Sequence, residues 1–242
     1  GLTCFNCEKT IVRAFKSAVN QNWVNKEIIL IDDCSTDGSK LIITELMSQY
    51  PQIQLIINNK NYGLAYNENL IVDKAKGDFI AFLDSDDLWK KNKIKEQVFF
   101  IKKNKLDICY TDYVAVNDNH KIIYKVKTPK TLFYKDLLRE CPIACSSVLL
   151  KKKILKNIIF RKLKTKEDYM LWLELSKKGY RLSGINKLLS IYRVRSSSLS
   201  SMHFNKIYSA FIIYSSYLNY SFLFSVIFVI RLYVNAFKKK YL

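Results

Sequence analysis

Three short stretches gather the groups able to do chemistry. "FIAFLDSDDLW" (79–89) runs from an apolar segment into Asp84, Asp86 and Asp87. Two unit charges about 4 Å apart repel by roughly 4 kcal/mol at an effective dielectric of about 20. One carboxylate suffices to cap a following helix, so three call for a partner of opposite sign. A divalent cation, Mg2+ or Mn2+, fits, because it takes oxygen ligands, keeps several waters and bridges substrate phosphates. "LIDDCSTDGS" (30–39) ends a strand in Asp32 and Asp33 and opens a small-residue loop. Either carboxylate can accept a hydrogen bond from a base imide or a ribose hydroxyl, and Ser35 to Gly38 lets backbone approach a ligand. The same residues would also serve as an ordinary capped turn. "NNKNYGLAYNEN" (58–69) places Gly63 at a tight turn, with asparagines, Asn61 among them, that can orient a ribose or satisfy the loop backbone.

These stretches sit on a βα rhythm. Apolar strands are predicted ending near Phe5 and over 27–33, 53–59 and 78–84, with helices over 8–20, 38–49 and 64–75. Continuous apolar strands alternating with helices imply a mostly parallel, Rossmann-like α/β sheet covered on both faces. Ligands of such sheets bind beyond the strand carboxyl ends, so Asp32/Asp33, Asn58/Asn59 and the Asp84–Asp87 cluster should share one rim. From residue 88 the pattern predicts a basic helix to 104, a hairpin turning near 117–119, a helical segment 131–140 and a strand in "SSVLLKK". A helix over 166–180 follows, acidic at Glu167 and Asp168 and stopped by Gly179, then strands near 181–184 and 188–193 and a serine-rich loop. This divides the chain into a domain over 1–203, in two halves that meet at about residue 104, and a basic-aromatic helical tail over 204–242.

The 242 residues carry a formal charge of +19, a field that attracts polyanions: nucleic acid, anionic lipid or phosphorylated substrates. Six cysteines are too few for a disulfide scaffold, and the Cys4–Cys7 CxxC lacks the second pair a zinc site needs; small thiols in a reducing compartment are the expectation. No signal peptide is visible. The chain opens at Gly1, without methionine and already inside a predicted strand, which implies a missing N-terminal piece. The tail has no charge over 207–230, then Arg231 and Lys238–Lys240. Its serines and Asn219 dilute the run below what a single span requires, so two helices broken near Asn219 are expected, lying in the headgroup region with the lysines on anionic lipid.

Together these motifs resemble, in order and spacing, the family-2 nucleotide-sugar glycosyltransferases, which have the GT-A fold. "EDYMLWLEL" (167–175) and "YRVRSSSLS" (192–200) add to the likeness, which covers about residues 1–203; the opening "GLTCFNCEKTI" departs from the family pattern at Cys4. The resemblance implies that Thr3, Asp32, Asp33, Ser35, Asn61, Gly63 and Asp84 hold the nucleoside of a UDP-type donor. It implies that Asp84 and Asp86 form the DxD, with Asp86 on a metal that bridges the diphosphate, and that Asp168 is the general base. Arg193 and Arg195 fall where the family places a loop over the donor phosphates. The resemblance makes about 1–104 the nucleotide-binding half and about 105–203 the acceptor half, with Glu167, Ser146 and Ser147 as acceptor-side candidates. The implied activity is inverting transfer of a sugar to a hydroxyl of a glycan or lipid-linked saccharide in bacterial surface-polysaccharide synthesis, at the inner face of the cytoplasmic membrane. Transfer to a polyprenyl phosphate carrier is the alternative.

Two other classes fit less well. A haloacid-dehalogenase-type phosphatase also carries DxD after an apolar strand, but on its first strand; here three βα units precede it and Leu88 stands where threonine or valine is usual. A non-enzymatic basic protein binding RNA or membrane would suit the charge. Acid converging on the sheet rim would repel a nucleic-acid backbone, so no nucleic-acid partner is expected.

Overall fold

The computed structural model describes residues 1–194 and 203–241, with side chains described from 204 to 237 in the last two helices. The first half runs β1 (Leu2–Cys4), α1 (Ile11–Val19), β2 (Ile29–Asp32), α2 (Ser39–Gln49), β3 (Gln54–Ile57) and α3 (Leu64–Lys74). Next come β4 (Phe79–Ile80), β5 (Leu83–Asp84), β6 (Leu88–Trp89), α4 (Lys93–Asn104), β7 (Ile108–Val116) and β8 (Ile122–Val126). The remainder is β9 (Thr131–Leu132), α5 (Tyr134–Leu137), β10 (Leu149–Lys151), α6 (Glu167–Lys177), β11 (Leu182–Arg193), α7 (His203–Ile212) and α8 (Phe222–Tyr241).

The strands form two sheets. The first, ordered β3-β2-β1-β5, is parallel throughout, as continuous apolar strands joined by helices require. Helix α1 buries Ile11, Ala14, Phe15 and Ala18, one face at i, i+3, i+4 and i+7, against it. The second sheet, β4-β10-β7-β11-β6 with β8 and β9 at its sides, is mixed; its long parallel pair is β7 with β11.

Several expected boundaries move. The predicted strand 78–84 is two strands: Ile80 pairs antiparallel with Leu150, while Leu83 pairs parallel with Leu2. Its residues face different packing clusters, Ile80 and Phe82 in one, Leu83 in a second and Ala81 in a third, so the chain passes from one sheet to the other within five residues. The helix expected from residue 88 begins at Lys93, because Leu88 and Trp89 pair with Ile191 and Ser190 of β11. Helix α1 starts at Ile11 rather than at residue 8; Asn6 takes φ 49° and Cys7 carbonyl accepts from the amides of Thr10 and Ile11. Segment 131–140 opens as a strand and is helical only over Tyr134–Leu137. The two strands expected between 181 and 193 are one, β11, with register irregularities between Ile185 and Ser190.

The hairpin β7–β8, the Gly179 stop (φ 88°) and a break at Asn219 (φ 58°) all appear. After α7 a π-helical turn covers Ile213–Tyr217. Ala210, Ile213, Tyr214, Val229 and Leu232 are buried in the main core beside α6. Among the described residues no helix is long and apolar enough to cross a membrane. Cys4 and Cys7, expected as thiols, are joined as a disulfide across the tight turn they flank.

Candidate active site

Strand register builds the rim. Thr3 lies opposite both Ile31 and Asp84, and Cys4 opposite Asp32. The amide of Asp33 donates to the Cys4 carbonyl at 2.8 Å, and that of Asn58 to the Asp32 carbonyl at 2.9 Å. The carboxyl ends of β3, β2, β1 and β5 thus place Asn58, Asp32 and Asp33, Thr3 and Asp84 side by side.

The two aspartates after β2 are engaged inside the protein. Asp32 is buried and accepts from the Ser35 amide at 3.2 Å and from the Ser35 hydroxyl, which in turn accepts from the Asn6 amide at 3.0 Å. Asp33, 3% exposed, accepts from Asn58 Nδ2 (2.8 Å), the Tyr62 amide (2.9 Å) and the Gly63 amide (2.8 Å). Its carboxylate is the clasp of the 58–63 loop. Gly63 has φ 86° with open space where a Cβ would stand, so it is the backbone angle that calls for glycine. Asn61 is exposed on this loop.

The acidic turn after β5 is pinned from two sides. The Asp87 amide donates to the Asp84 carbonyl at 3.0 Å, and Asp87 Oδ1 accepts from the Arg193 amide at 2.8 Å. Ser146 Oγ accepts from the Asp84 amide at 3.1 Å, and its carbonyl accepts from Trp89 Nε1 at 2.7 Å. Asp87 is buried, while Asp84 and Asp86 are half-buried. Ser146 and Ser147 lie in a buried 3-10 turn; Ser147 Oγ donates to the Ala144 carbonyl at 2.7 Å, so these hydroxyls are engaged within the fold.

From the far side comes the first turn of α6. The Tyr169 hydroxyl donates to the Leu137 carbonyl at 2.6 Å and lies 2.7 Å from the Tyr214 hydroxyl, which fixes α6 between α5 and the turn after α7. Lys166, in the left-handed region (φ 70°), sets its ammonium 5.6 Å over the Tyr169 ring and 5.7 Å over Tyr233. Asp168 Oδ1 accepts from the Tyr169 amide at 2.7 Å.

Proton affinities report the crowding. Burial, then the charges of Asp86, Asp168 and Glu167, raise Asp84 to about 7. Burial raises Glu167 to about 7. Burial also raises Asp168, opposed by the Tyr169 amide and by Lys166. Buried Asp87 is raised well above the usual range by desolvation and by Asp84 and Asp86. Glu68 of α3, 2% exposed, is raised by burial first and then by Asp84, Asp168 and Glu167. Sequence reading passed over Glu68, yet it shares the helical face of the buried Ala65, Ile71 and Ala75, and an acid on an apolar face was the available signal.

Among the described residues no three carboxylate, imidazole or thiol side chains converge as a complete metal cage. Two mutually repelling carboxylates, Asp84 and Asp86, fit a dication that takes its other ligands from phosphates and water. The Arg193 side chain turns toward the β7–β8 hairpin, 3.8 Å from Asp118 and in contact with His120, which Arg13 also meets. Arg195 lies outside the described residues.

Residues 1–163 match the sequence profile of Glycosyl transferase family 2. The E. coli UDP-Glc:alpha-D-GlcNAc-diphosphoundecaprenol beta-1,3-glucosyltransferase WfaP is 37% identical over 206 residues, 85% of this chain and 80% of that protein. The chain belongs to glycosyl transferase family 2. This glycosyltransferase also shares its fold with solved structures. S. aureus TarS 1-349 in complex with UDP-GlcNAc gives a TM-score of 0.72 at 21% identity, over 94% of this chain and 69% of that one. The Pyrobaculum calidifontis mannosyltransferase PcManGT in complex with GDP-Man and Mn2+ gives 0.70 at 15% identity, over 94% and 68%. The GT-A expectation from the motifs therefore holds for the glycosyltransferase.

Proposed function

We propose that this glycosyltransferase moves a hexosyl group from a UDP-sugar, with inversion, to a hydroxyl of a lipid-linked saccharide. The observation that carries this reading is the acidic rim, where strand register sets Thr3 beside Asp84 and Cys4 beside Asp32; burial, and then the charges of Asp86, Asp168 and Glu167, raise the Asp84 carboxyl there to about 7. The activity of the related WfaP, from UDP-Glc to a diphosphoundecaprenol-linked sugar, supports the donor and acceptor classes.

Thr3, Asp32, Asp33, Ser35, Asn61 and Gly63 shape the nucleoside end, Asp32 and Asp33 by holding the two loops that flank it. Asp84 and Asp86 would hold Mn2+ or Mg2+, which when bound neutralises charge on the diphosphate. Arg193 and Arg195 would supply positive charge to the diphosphate, as the family resemblance implies. Asp168 accepts the proton of the acceptor hydroxyl as that oxygen bonds to the anomeric carbon from the face opposite the diphosphate. The carbon–oxygen bond to the diphosphate breaks with its electrons leaving on UDP, so a single displacement inverts the centre. Glu167, beside it, borders the acceptor. The enzyme acts at the cytoplasmic face of the membrane.

A thermal-shift and product screen tests this. UDP-, GDP- and dTDP-sugars are offered with Mn2+, with Mg2+ or with chelator, and with a short lipid-linked acceptor. A metal-dependent shift with a UDP-sugar and an inverted product by NMR are expected. A chain that binds and consumes no nucleotide sugar under any of these conditions is not this enzyme.

A further inference from the structure

The last two helices bury one side and expose the other. On α7, Ala210 and the following Ile213 and Tyr214 enter the core. Phe204 (78% exposed), Ile207 and Tyr208 stand out at i, i+3 and i+4. On α8, Val229 and Leu232 are buried, while Leu223 (66% exposed), Ile230 and Val234 recur at helical spacing on the outside. Phe222, 74% exposed, meets Phe211 edge-on with ring centroids 5.6 Å apart, so the two outer faces join into one apolar surface. Exposed apolar side chains gathered along one side of two adjoining helices mark an interaction site.

Charge selects the partner. Residues 203–242 contain no aspartate or glutamate, and Arg231 is exposed on α8. The neighbouring connection to α6 carries Lys162 and Lys164, both exposed, the latter with its ammonium 6.0 Å over the Tyr208 ring. Aromatic and aliphatic side chains flanked by Lys162, Lys164 and Arg231 match an anionic bilayer surface, where rings enter the headgroup boundary and lysines meet lipid phosphates.

We propose that the outer face of α7 and α8, with Lys162, Lys164 and Arg231, docks the protein on an anionic lipid bilayer and that α6 is held in register with that surface. Three contacts make the linkage rigid: the Thr165 amide donates to Ser209 Oγ at 3.3 Å, the Thr165 hydroxyl donates to the Asn205 carbonyl at 3.4 Å, and the hydroxyls of Tyr169 and Tyr214 lie 2.7 Å apart. Thr165 is three residues before Asp168. Docking thus fixes the first turn of α6 relative to the headgroups, where a lipid-linked acceptor presents its sugar; that purpose rests on the acceptor class proposed above, whereas the docking itself does not.

Vesicle co-sedimentation of the 242-residue chain, with neither donor nor acceptor present, tests the surface separately from the chemistry. Wild type should partition onto phosphatidylglycerol/phosphatidylethanolamine vesicles about tenfold or more above phosphatidylcholine vesicles. The exposed double variant L223E/I230E should lose about tenfold of that partition while keeping its melting temperature, and F204S should lose part of it. With a lipid-linked acceptor in vesicles the double variant should be slow, and with a water-soluble acceptor it should match wild type. Wild type that ignores anionic vesicles, or a double variant that binds them as well as wild type, overturns the proposal. So does light scattering that shows a stable dimer dispersed by L223E/I230E, which would give the face to a second copy of this chain.

Discussion

Asp33→Asn separates a residue that touches ligand from one that shapes the loop. Asp33 is 3% exposed and receives hydrogen bonds of 2.8, 2.9 and 2.8 Å from Asn58, Tyr62 and Gly63. Hydrogen bonds to a charged acceptor contribute roughly 1.5–3 kcal/mol each, against about 0.5–1.5 between neutral groups. The amide variant loses the charge for all three and turns an NH2 toward a buried N–H, leaving a donor unsatisfied at about 1–3 kcal/mol. Three bonds weakened by about 1–1.5 kcal/mol each, together with the orphaned donor, come to about 4–7 kcal/mol. At about 2–4 °C per kcal/mol for a chain of this size, melting should fall by roughly 8–28 °C, and the 58–63 loop should become the first site of proteolytic cutting. Calorimetry, limited proteolysis and UDP titration on the same preparation read all three effects. A variant that melts within about 2 °C of wild type but binds UDP a hundredfold more weakly would mean the carboxylate serves the ligand directly, and the clasp argument would be wrong.

Three further outcomes follow from the same geometry. Asp168→Asn should keep the thermal shift produced by donor and lose about 10²–10⁴-fold in turnover; near-normal turnover would remove Asp168 as the base. Asp84 and Glu167 are raised to about 7 from 3.8 and 4.5, so the folded state holds more protons than the unfolded one between those values. Their contribution is therefore complete below about pH 4 and is lost as pH rises through about 7. The metal-free protein should melt lower at pH 7.5 than at pH 5, Mn2+ should restore stability at the higher pH, and Asp84→Asn should flatten the profile; melting that rises with pH would contradict the sign. In a cycle of Tyr169→Phe and Tyr214→Phe, the hydroxyl pair should show a coupling of about 0.5–1.5 kcal/mol in urea unfolding, and strict additivity would deny the link between α6 and the turn after α7.

Much of the first half of the chain is legible in the residues themselves. The apolar runs before Asp32 and Asp84 could only be buried strands, helices between them demand parallel pairing, and parallel pairing sends both strand ends to one rim; Thr3 opposite Asp84 and Cys4 opposite Asp32 follow. Periodicity located Ile11, Ala14, Phe15 and Ala18 on the buried face of α1. It failed where a short stretch serves two sheets, as at Phe79–Asp84, and where a strand of two residues precedes a helix, as at Leu88–Trp89, because local pattern carries no information about which neighbour completes the pairing.

Sequence alone determined the parallel sheet and the acidic rim, since each depends on composition and spacing within a few turns of chain, and its motifs resemble the family to which the chain belongs. Only the tertiary structure decided that buried Glu68 feels the charges of Asp84, Asp168 and Glu167, that Asp33 clasps a loop, and that the final helices are tied to α6 through Tyr214. Those facts depend on contacts between residues tens of positions apart, which are set by how whole elements pack and not by any preference the residues express locally.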